Sequence, residues 1–215
     1  MIIHASKLAT CAGLNPYESR DAYIAELRDK SFVSQDDLAE IEISKLDKDV
    51  RDEIRGLRDT KFESAKEVAS ALSSLSLEPI VQAKIKKDLF TKHGTEQEGA
   101  VRNTLGPGVE QCKRYKVGKL PFCTVDNFEV YLGGKHDGKI GDKIVEIKTR
   151  SYKFLGVREY ERVQVHAYMH IFETRQAELV ESYNGETRTH AVPFDDAFWT
   201  GVKESVYTLV REIVC

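Results

Sequence analysis

The tripeptide Gly106-Pro107-Gly108 divides the 215-residue chain into two kinds of periodicity. Proline carries no amide hydrogen and clashes with the preceding turn, and flanking glycines release the backbone, so no helix continues through it. Ahead of it, apolar residues recur on roughly one face of a helix, as in Leu38, Ile41, Leu46, Val50, Ile54 and Leu57. Beyond it they alternate, as Phe128, Val130 and Leu132 do against Glu129 and Tyr131. A chain that changes period in this way is neither all-helical nor all-β. It predicts a mixed α/β (α+β) fold, with one central mixed β-sheet flanked by helices.

The helical part reads as a short helix in Ala5–Ala12, a turn at Gly13-Leu14-Asn15-Pro16, and a second helix favoured by Pro16 and Ser19. A long helix is expected over Gln35–Asp59, a short one over Lys61–Leu75, and another over Val81–Leu105. In the second part, Asn127–Gly134 and Asp142–Thr149 read as two strands joined by a glycine-rich connection into one antiparallel hairpin. A helix over Gly156–Thr174 follows, then a hairpin turning at Asn184-Gly185. A last helix begins at Asp195, a plausible N-cap. A single domain, 1–215, is expected, with a helical insertion over 30–80 and the core over 81–215.

The composition, 41% hydrophobic and 31% charged, is that of a globular protein with one sizeable core. No apolar run approaches the ~20 residues that span a bilayer. The opening residues lack the basic and apolar segments of a signal peptide, so an intracellular location is expected. Cys11, Cys112, Cys123 and Cys215 are scattered without a CxxC pair, which fits reduced thiols rather than a zinc site or a disulfide framework.

Net charge is −3, but its distribution is uneven. Lys30–Glu63 holds 7 bases against 10 acids, whereas Gly133–Val163 holds 8 against 5. Lys113–Lys119, "KRYKVGK", adds four bases and no acid. The positive charge gathers around Gly133–Arg150, as either a nucleic-acid footprint or a solvated basic face would have it.

That stretch, "GGKHDGKIGDKIVEIKTR", carries the chemistry. Side chains two apart on a strand share a face, so Glu146 and Lys148 project together, with Ile144 beside them and Val145 and Ile147 opposite. Asp137 reaches the same place across the hairpin. Two carboxylates and the Ile147 carbonyl make a hard-oxygen nest suited to Mg²⁺ or Mn²⁺. Lys148 beside them would orient water or steady charge on a phosphate. The glycines would turn the hairpin and let a DNA backbone approach. A solvated hairpin would carry the same letters.

Asp137 followed by Glu146-Ile147-Lys148 resembles the D-x(n)-(D/E)-x-K signature of the PD-(D/E)XK nuclease superfamily. Two further motifs resemble that family in its order. Gly94-xxx-Glu98, with Arg102 one turn on, matches a helical G-xxx-E element before the hairpin, and Gln164-xxx-Tyr168 is similar to the QxxxY element of the RecB-like branch. Without the resemblance, Glu98 reads as an exposed acid on a polar helix and Tyr168 as a core tyrosine. His166 and His170, also four apart, are a minor metal-ligand possibility without a third ligand.

The opening "IIHASKLATCAGLNPYES" resembles that of YqaJ-type viral recombinases, the group that includes the phage lambda exonuclease. Ser6 matches a serine near the end phosphate in that group, and Ser19 a second one; an N-cap would equally explain Ser6. Three departures stand out. The arginine expected before Ser6 is missing, with Arg20 or Arg28 as substitutes. Ninety-two positions separate Ser6 from Glu98, longer than in the phage enzyme. Lys135 stands where a small residue or proline is usual.

The resemblance implies a restriction-endonuclease-like core and a Mg²⁺-dependent DNA exonuclease with two ions, Mn²⁺ substituting. It would degrade linear double-stranded DNA from an end, 5′ to 3′, in viral recombination or repair. An endonuclease of restriction or resolvase type and a non-catalytic DNA-binding module are the alternatives. The implied metal ligands are Asp137, Glu146, the Ile147 carbonyl and Glu98, with Lys148 and Gln164 completing the catalytic set. The implied DNA contacts are Ser6, Ser19, Arg20, Lys135, Arg150, Gln164 and Tyr168. The implied partners are duplex ends and a single-strand annealing protein, in the cytoplasm or nucleus of a host cell if the chain is viral.

Overall fold

The computed structural model describes residues 1–28, 35–62, 65–73, 77–106 and 108–214. Pro107, Cys215 and parts of the segments read as helical around 29–34, 63–64 and 74–76 lie outside the described residues. The chain forms two compact units, Met1–Lys30 with Val101–Cys215, and Ser31–Ala100. The helical unit therefore extends to Ala100, beyond the expected boundary near 80.

In the first unit, β1 (Ile2–His4) leads through a 3-10 turn (Ala5–Lys7) into α1 (Leu8–Cys11) and α2 (Arg20–Arg28). After the breaker come β2 (Lys116–Val117), β3 (Cys123–Val125), β4 (Phe128–Gly134), β5 (Gly138–Ile140) and β6 (Lys143–Thr149). Helix α7 (Glu159–Ile171), β7 (Gln176–Tyr183), β8 (Glu186–Pro193) and α8 (Asp196–Val214) complete it. Here α3 to α6 denote the helices of the second unit: Gln35–Lys45, Lys48–Asp59, Ala65–Ser73 and Pro79–Thr104, the last running on into the first unit.

The mixed α/β class is as expected, but the pairing differs. The strands form two four-stranded sheets, one ordered β1-β4-β2 with β3 also on β4, the other β5-β6-β7-β8. β4 therefore does not pair with β6. It pairs instead with β3 across Asp126 and Asn127, both at positive φ (45° and 68°). β6 turns back on the three-residue β5 through Gly141, φ 56°. Two hairpins thus replace the one expected, because two- and three-residue strands are too short to leave a period in the sequence. The Asn184-Gly185 turn is as expected, with both residues at positive φ, the type I′ geometry.

β6 runs parallel to β7, with α7 as the crossover. The buried face of α7 (Val163, Val165, Ala167, Met169, Ile171) and that of α8 (Trp199, Val202, Val206, Leu209, Val210) pack with Ile3, Leu8, Val130, Leu132, Ile144 and Leu179 in one core. Val145 and Ile147 face the other way, onto Val101 and Val180. That split places Glu146 and Lys148 on the α7 face of β6. Asp195 caps α8 by accepting from Phe198 N at 3.0 Å.

The second unit has its own core, Ile43, Ile54, Val68, Leu72, Val81, Ile85 and Leu89 among others. The long helix expected over Gln35–Asp59 is two, because the extended backbone of Asp47 (ψ 152°) starts a new one at Lys48. The break rotates the expected stripe, leaving Leu38 and Ile41 exposed and burying Ile43. No helix among the described residues is long and apolar enough to cross a membrane.

Candidate active site

Five side chains and one main-chain amide converge at the middle of β6, just ahead of β5. Asp137 Oδ2 accepts from Ile147 N at 2.7 Å, which holds the carboxylate against the middle of β6. Its backbone carbonyl accepts from Arg102 Nη1 at 3.1 Å, so α6 fixes the same residue from the other side. Glu146 is 3% exposed. Lys148 Nζ donates to Glu146 Oε1 at 2.8 Å and to Gln164 Oε1 at 3.1 Å. Gln164 Nε2 in turn donates to the Tyr168 hydroxyl at 2.9 Å. The four-residue spacing of Gln164 and Tyr168 puts both on the face of α7 that looks at β6.

The electrostatics follow from this burial. Loss of water pushes the Asp137 carboxyl upward, against the pull of the Ile147 amide, Lys148, Glu146 and Arg102. Burial also opposes the Lys148 charge, but Glu146, with Asp137 and Glu161 behind it, outweighs that and lifts the ammonium to about 12. Lys148 is therefore a fixed cation at neutral pH. His136, beside Asp137, is driven down to about 4 by burial and is neutral there, its ring edge-on to Phe172 at 4.5 Å.

The glycines serve packing. A Cβ at Gly134 would lie 2.6 Å from Tyr168 Cε1, and one at Gly133 2.7 Å from Tyr115 Cζ. One at Gly138 would meet Val109 Cγ1 at 2.6 Å. In this hairpin Gly141 alone supplies a turn; the other three make room for neighbouring side chains, not for an approaching DNA backbone.

Several expected DNA contacts have other work. Arg150 is enclosed: Nε donates to Glu181 Oε1 (2.6 Å), Nη1 to Glu161 Oε1 (2.6 Å) and Nη2 to Glu161 Oε2 (2.9 Å). Its side chain is 8% exposed, so it is not presented to a phosphate. Tyr168 is 5% exposed, and its hydroxyl faces Gln164 rather than solvent. Ser19 Oγ accepts from Ala22 N at 3.3 Å and caps α2, and Arg20 reaches Glu212 at 3.4 Å. Ser6 and Lys135 are exposed. Glu98 belongs to the second unit, on α6. Among the described residues no three of His, Cys, Asp and Glu gather as a metal set. His166 is a core residue: Nδ1 meets Arg162 O at 2.8 Å and Nε2 accepts from Asp195 N at 3.1 Å.

The sequence reading missed the buried carboxylates Glu161 and Glu181. Glu181 accepts from Arg150, from Leu155 N (2.8 Å) and Gly156 N (3.0 Å), and meets His190 Nε2 at 2.8 Å. The available signal was an acid inside the apolar run "AELVES" of β7. This cluster ties the β6–α7 connection to β7 and so holds the helix that carries Gln164.

No protein-family model matches the chain, and no curated protein matches it in sequence. Among solved structures it resembles an alkaline exonuclease (LHK-Exo) from Laribacter hongkongensis, with TM-score 0.51 and 16% identity over 98% of this chain and 87% of that one. The same exonuclease in complex with dAMP gives TM-score 0.50 and 15% identity, again over 98% and 87%. At such identity the likeness is one of fold, and it runs nearly the whole length of both chains.

Proposed function

We propose that the chain is a metal-dependent deoxyribonuclease that hydrolyses linear double-stranded DNA from an end, 5′ to 3′, in recombination or repair. The observation that carries this reading is the line Asp137, Glu146, Lys148 and Gln164, in which one lysine is shared by a buried carboxylate and a helix-borne amide. The fold likeness to an exonuclease supports the choice of an exonuclease over an endonuclease. The neighbour with dAMP supports a deoxynucleotide as product.

The donor set fits a hard dication. Asp137 and Glu146 are two carboxylates in one partly dried site, and burial pushes the Asp137 carboxyl upward, a cost of holding its charge that a dication would offset. Asp137, Glu146 and the Ile147 carbonyl are the residues that would hold magnesium or manganese. Such an ion, when bound, lowers the pKa of water and neutralises charge on the phosphate. Lys148, protonated and pinned from two sides, orients the attacking water and faces the negative charge that builds on the phosphoryl oxygens. Gln164 keeps the lysine from collapsing fully onto Glu146, and Tyr168 keeps the amide from turning over.

The test sets end-labelled linear duplex beside covalently closed circles, each with Mg²⁺. Loss of the linear DNA alone, from the 5′ end, is the expected result. Nicked or linearised circles would replace the exonuclease with an endonuclease, and binding without cleavage in Mg²⁺ and Mn²⁺ would leave only a DNA-binding module. Lys148→Ala should keep DNA affinity while cleavage falls about 10²–10³-fold, the usual loss for one charge-stabilising group. Near wild-type cleavage by that variant would remove the lysine from the mechanism.

A further inference from the structure

The basic run Lys113–Lys119 is not used by the site just described. Lys113, Arg114 and Tyr115 are exposed, the tyrosine at 47%. Lys113, Arg114 and Lys135 pair with no carboxylate among the described residues. The run is fastened to the strand that leads into the site: Lys116 is in register with Gly134, and Val117 with Gly133. Tyr115 lies on Gly133, its hydroxyl 2.9 Å from His4 Nδ1 and its ring edge-on to that of His4, centroids 5.5 Å apart. An exposed ring held by a strand glycine and a histidine is a fixed platform rather than a loose side chain.

Distance to the chemistry is bounded by the backbone. Gly133 precedes Asp137 by four residues and Lys135 by two, which at ~3.5 Å each is at most about 14 Å and about 7 Å. With ~3.4 Å of rise per nucleotide, Tyr115 lies within about four nucleotides of a phosphate held at Asp137. Cations spaced along a backbone, with an aromatic face among them, are what binds a nucleic-acid strand irrespective of sequence.

We propose that Tyr115, with Lys113, Arg114 and Lys135, is a holding site for a DNA strand beside the reacting phosphate, in which an unpaired base stacks on Tyr115 while the three cations take successive phosphates. The inference rests on the nuclease reading for its substrate. It adds that the enzyme grips unpaired DNA next to the bond it cuts.

The test measures fluorescence anisotropy of a labelled 20-nucleotide single strand in EDTA, where no hydrolysis is needed. Tyr115→Ala should bind about tenfold more weakly with the salt dependence unchanged, and Tyr115→Phe should bind as wild type. The triple variant K113A/R114A/K135A should lower the slope of log K against log salt by about 2, at ~0.7 per phosphate contact on single strands. Hydrolysis of the p-nitrophenyl ester of thymidine 5′-monophosphate, too short to reach the platform, should stay within about twofold in Tyr115→Ala. An equal loss on that ester would make Tyr115 a support of the fold and overturn the proposal, as would unchanged binding by Tyr115→Ala or an unchanged slope in the triple variant. Wild-type protein gives a check free of folding effects: an oligonucleotide carrying 5-iodouracil should photocrosslink at Tyr115, and adducts elsewhere alone would refute the platform. Binding through Tyr115 with no cleavage in Mg²⁺ would instead sink the nuclease reading and leave the strand contact standing.

Discussion

Glu181 is fully buried, yet it is held ionised by Arg150, two main-chain amides and His190. Burial alone would raise its pKa; the amides of Leu155 and Gly156, Arg150 and His190 together bring it from 4.5 down to about 2. A carboxyl depressed in the folded state contributes stability that is present above its unfolded pKa and lost as pH falls through the folded value. The window is therefore pH 4.5 to about 2. At about 1.4 kcal/mol per unit this is worth roughly 3 kcal/mol. Glu181→Gln should lose about that much at pH 7 and show a flatter acid limb in urea melts taken between pH 5 and pH 2. An unchanged acid limb would show that other carboxylates carry acid unfolding. The convergence of Glu146, Lys148, Gln164 and Tyr168 was legible in sequence because strand period and helix period put them on facing sides. Glu161, Glu181 and the enclosure of Arg150 were not, since charge in a strand reads as solvent exposure unless its partners, here far apart in sequence, are seen.

At the level of elements, the strand–helix pair β6–α7 is positioned by β4, whose last two residues are glycines beneath two tyrosine rings. Gly134→Val should push Tyr168 off β4 and cost about 1–3 kcal/mol, the usual price of overpacking. On the proposed nuclease reading it should also lower cleavage more than DNA binding, because the Tyr168 hydroxyl accepts from Gln164, whose oxygen accepts from Lys148. Thermal melting paired with a cleavage assay reads both; a stability loss with full activity would separate Tyr168 from the site. The elements read correctly from sequence were the long ones with caps or a clear turn, such as α8 at Asp195 and the Asn184-Gly185 hairpin. The pairing of Asn127–Gly134 with Asp142–Thr149 was misread because alternation tells which face a strand buries and says nothing of its partner. β1, at three residues, was hidden inside a stretch that reads as the approach to a helix.

Across the whole molecule, two separate cores imply two separable stabilities. Ile85 is fully buried among Ile54, Val68, Leu72, Val81 and Leu89, all in the second unit. Ile85→Ala should cost that unit about 2–5 kcal/mol. Hydrogen exchange should then speed up within residues 31–100 and stay near wild type in β6, β7 and α8. Uniform loss of protection over both units would show that the chain unfolds as one. The second unit reads in the sequence as a run of charged amphipathic helix. Its end at Ala100 is not legible there, because α6 continues unbroken from one unit into the next and no composition change marks the boundary.

The contact of Tyr168 on Gly134 also restricts how such a sequence can drift. Any side chain at 134 needs a smaller residue at 168 first, yet shrinking 168 removes the hydroxyl that steadies Gln164. Neither position can change ahead of the other without disturbing the Tyr168–Gln164–Lys148 chain. The two are locked as a pair, and a glycine without a side chain of its own becomes as immovable as the tyrosine it carries.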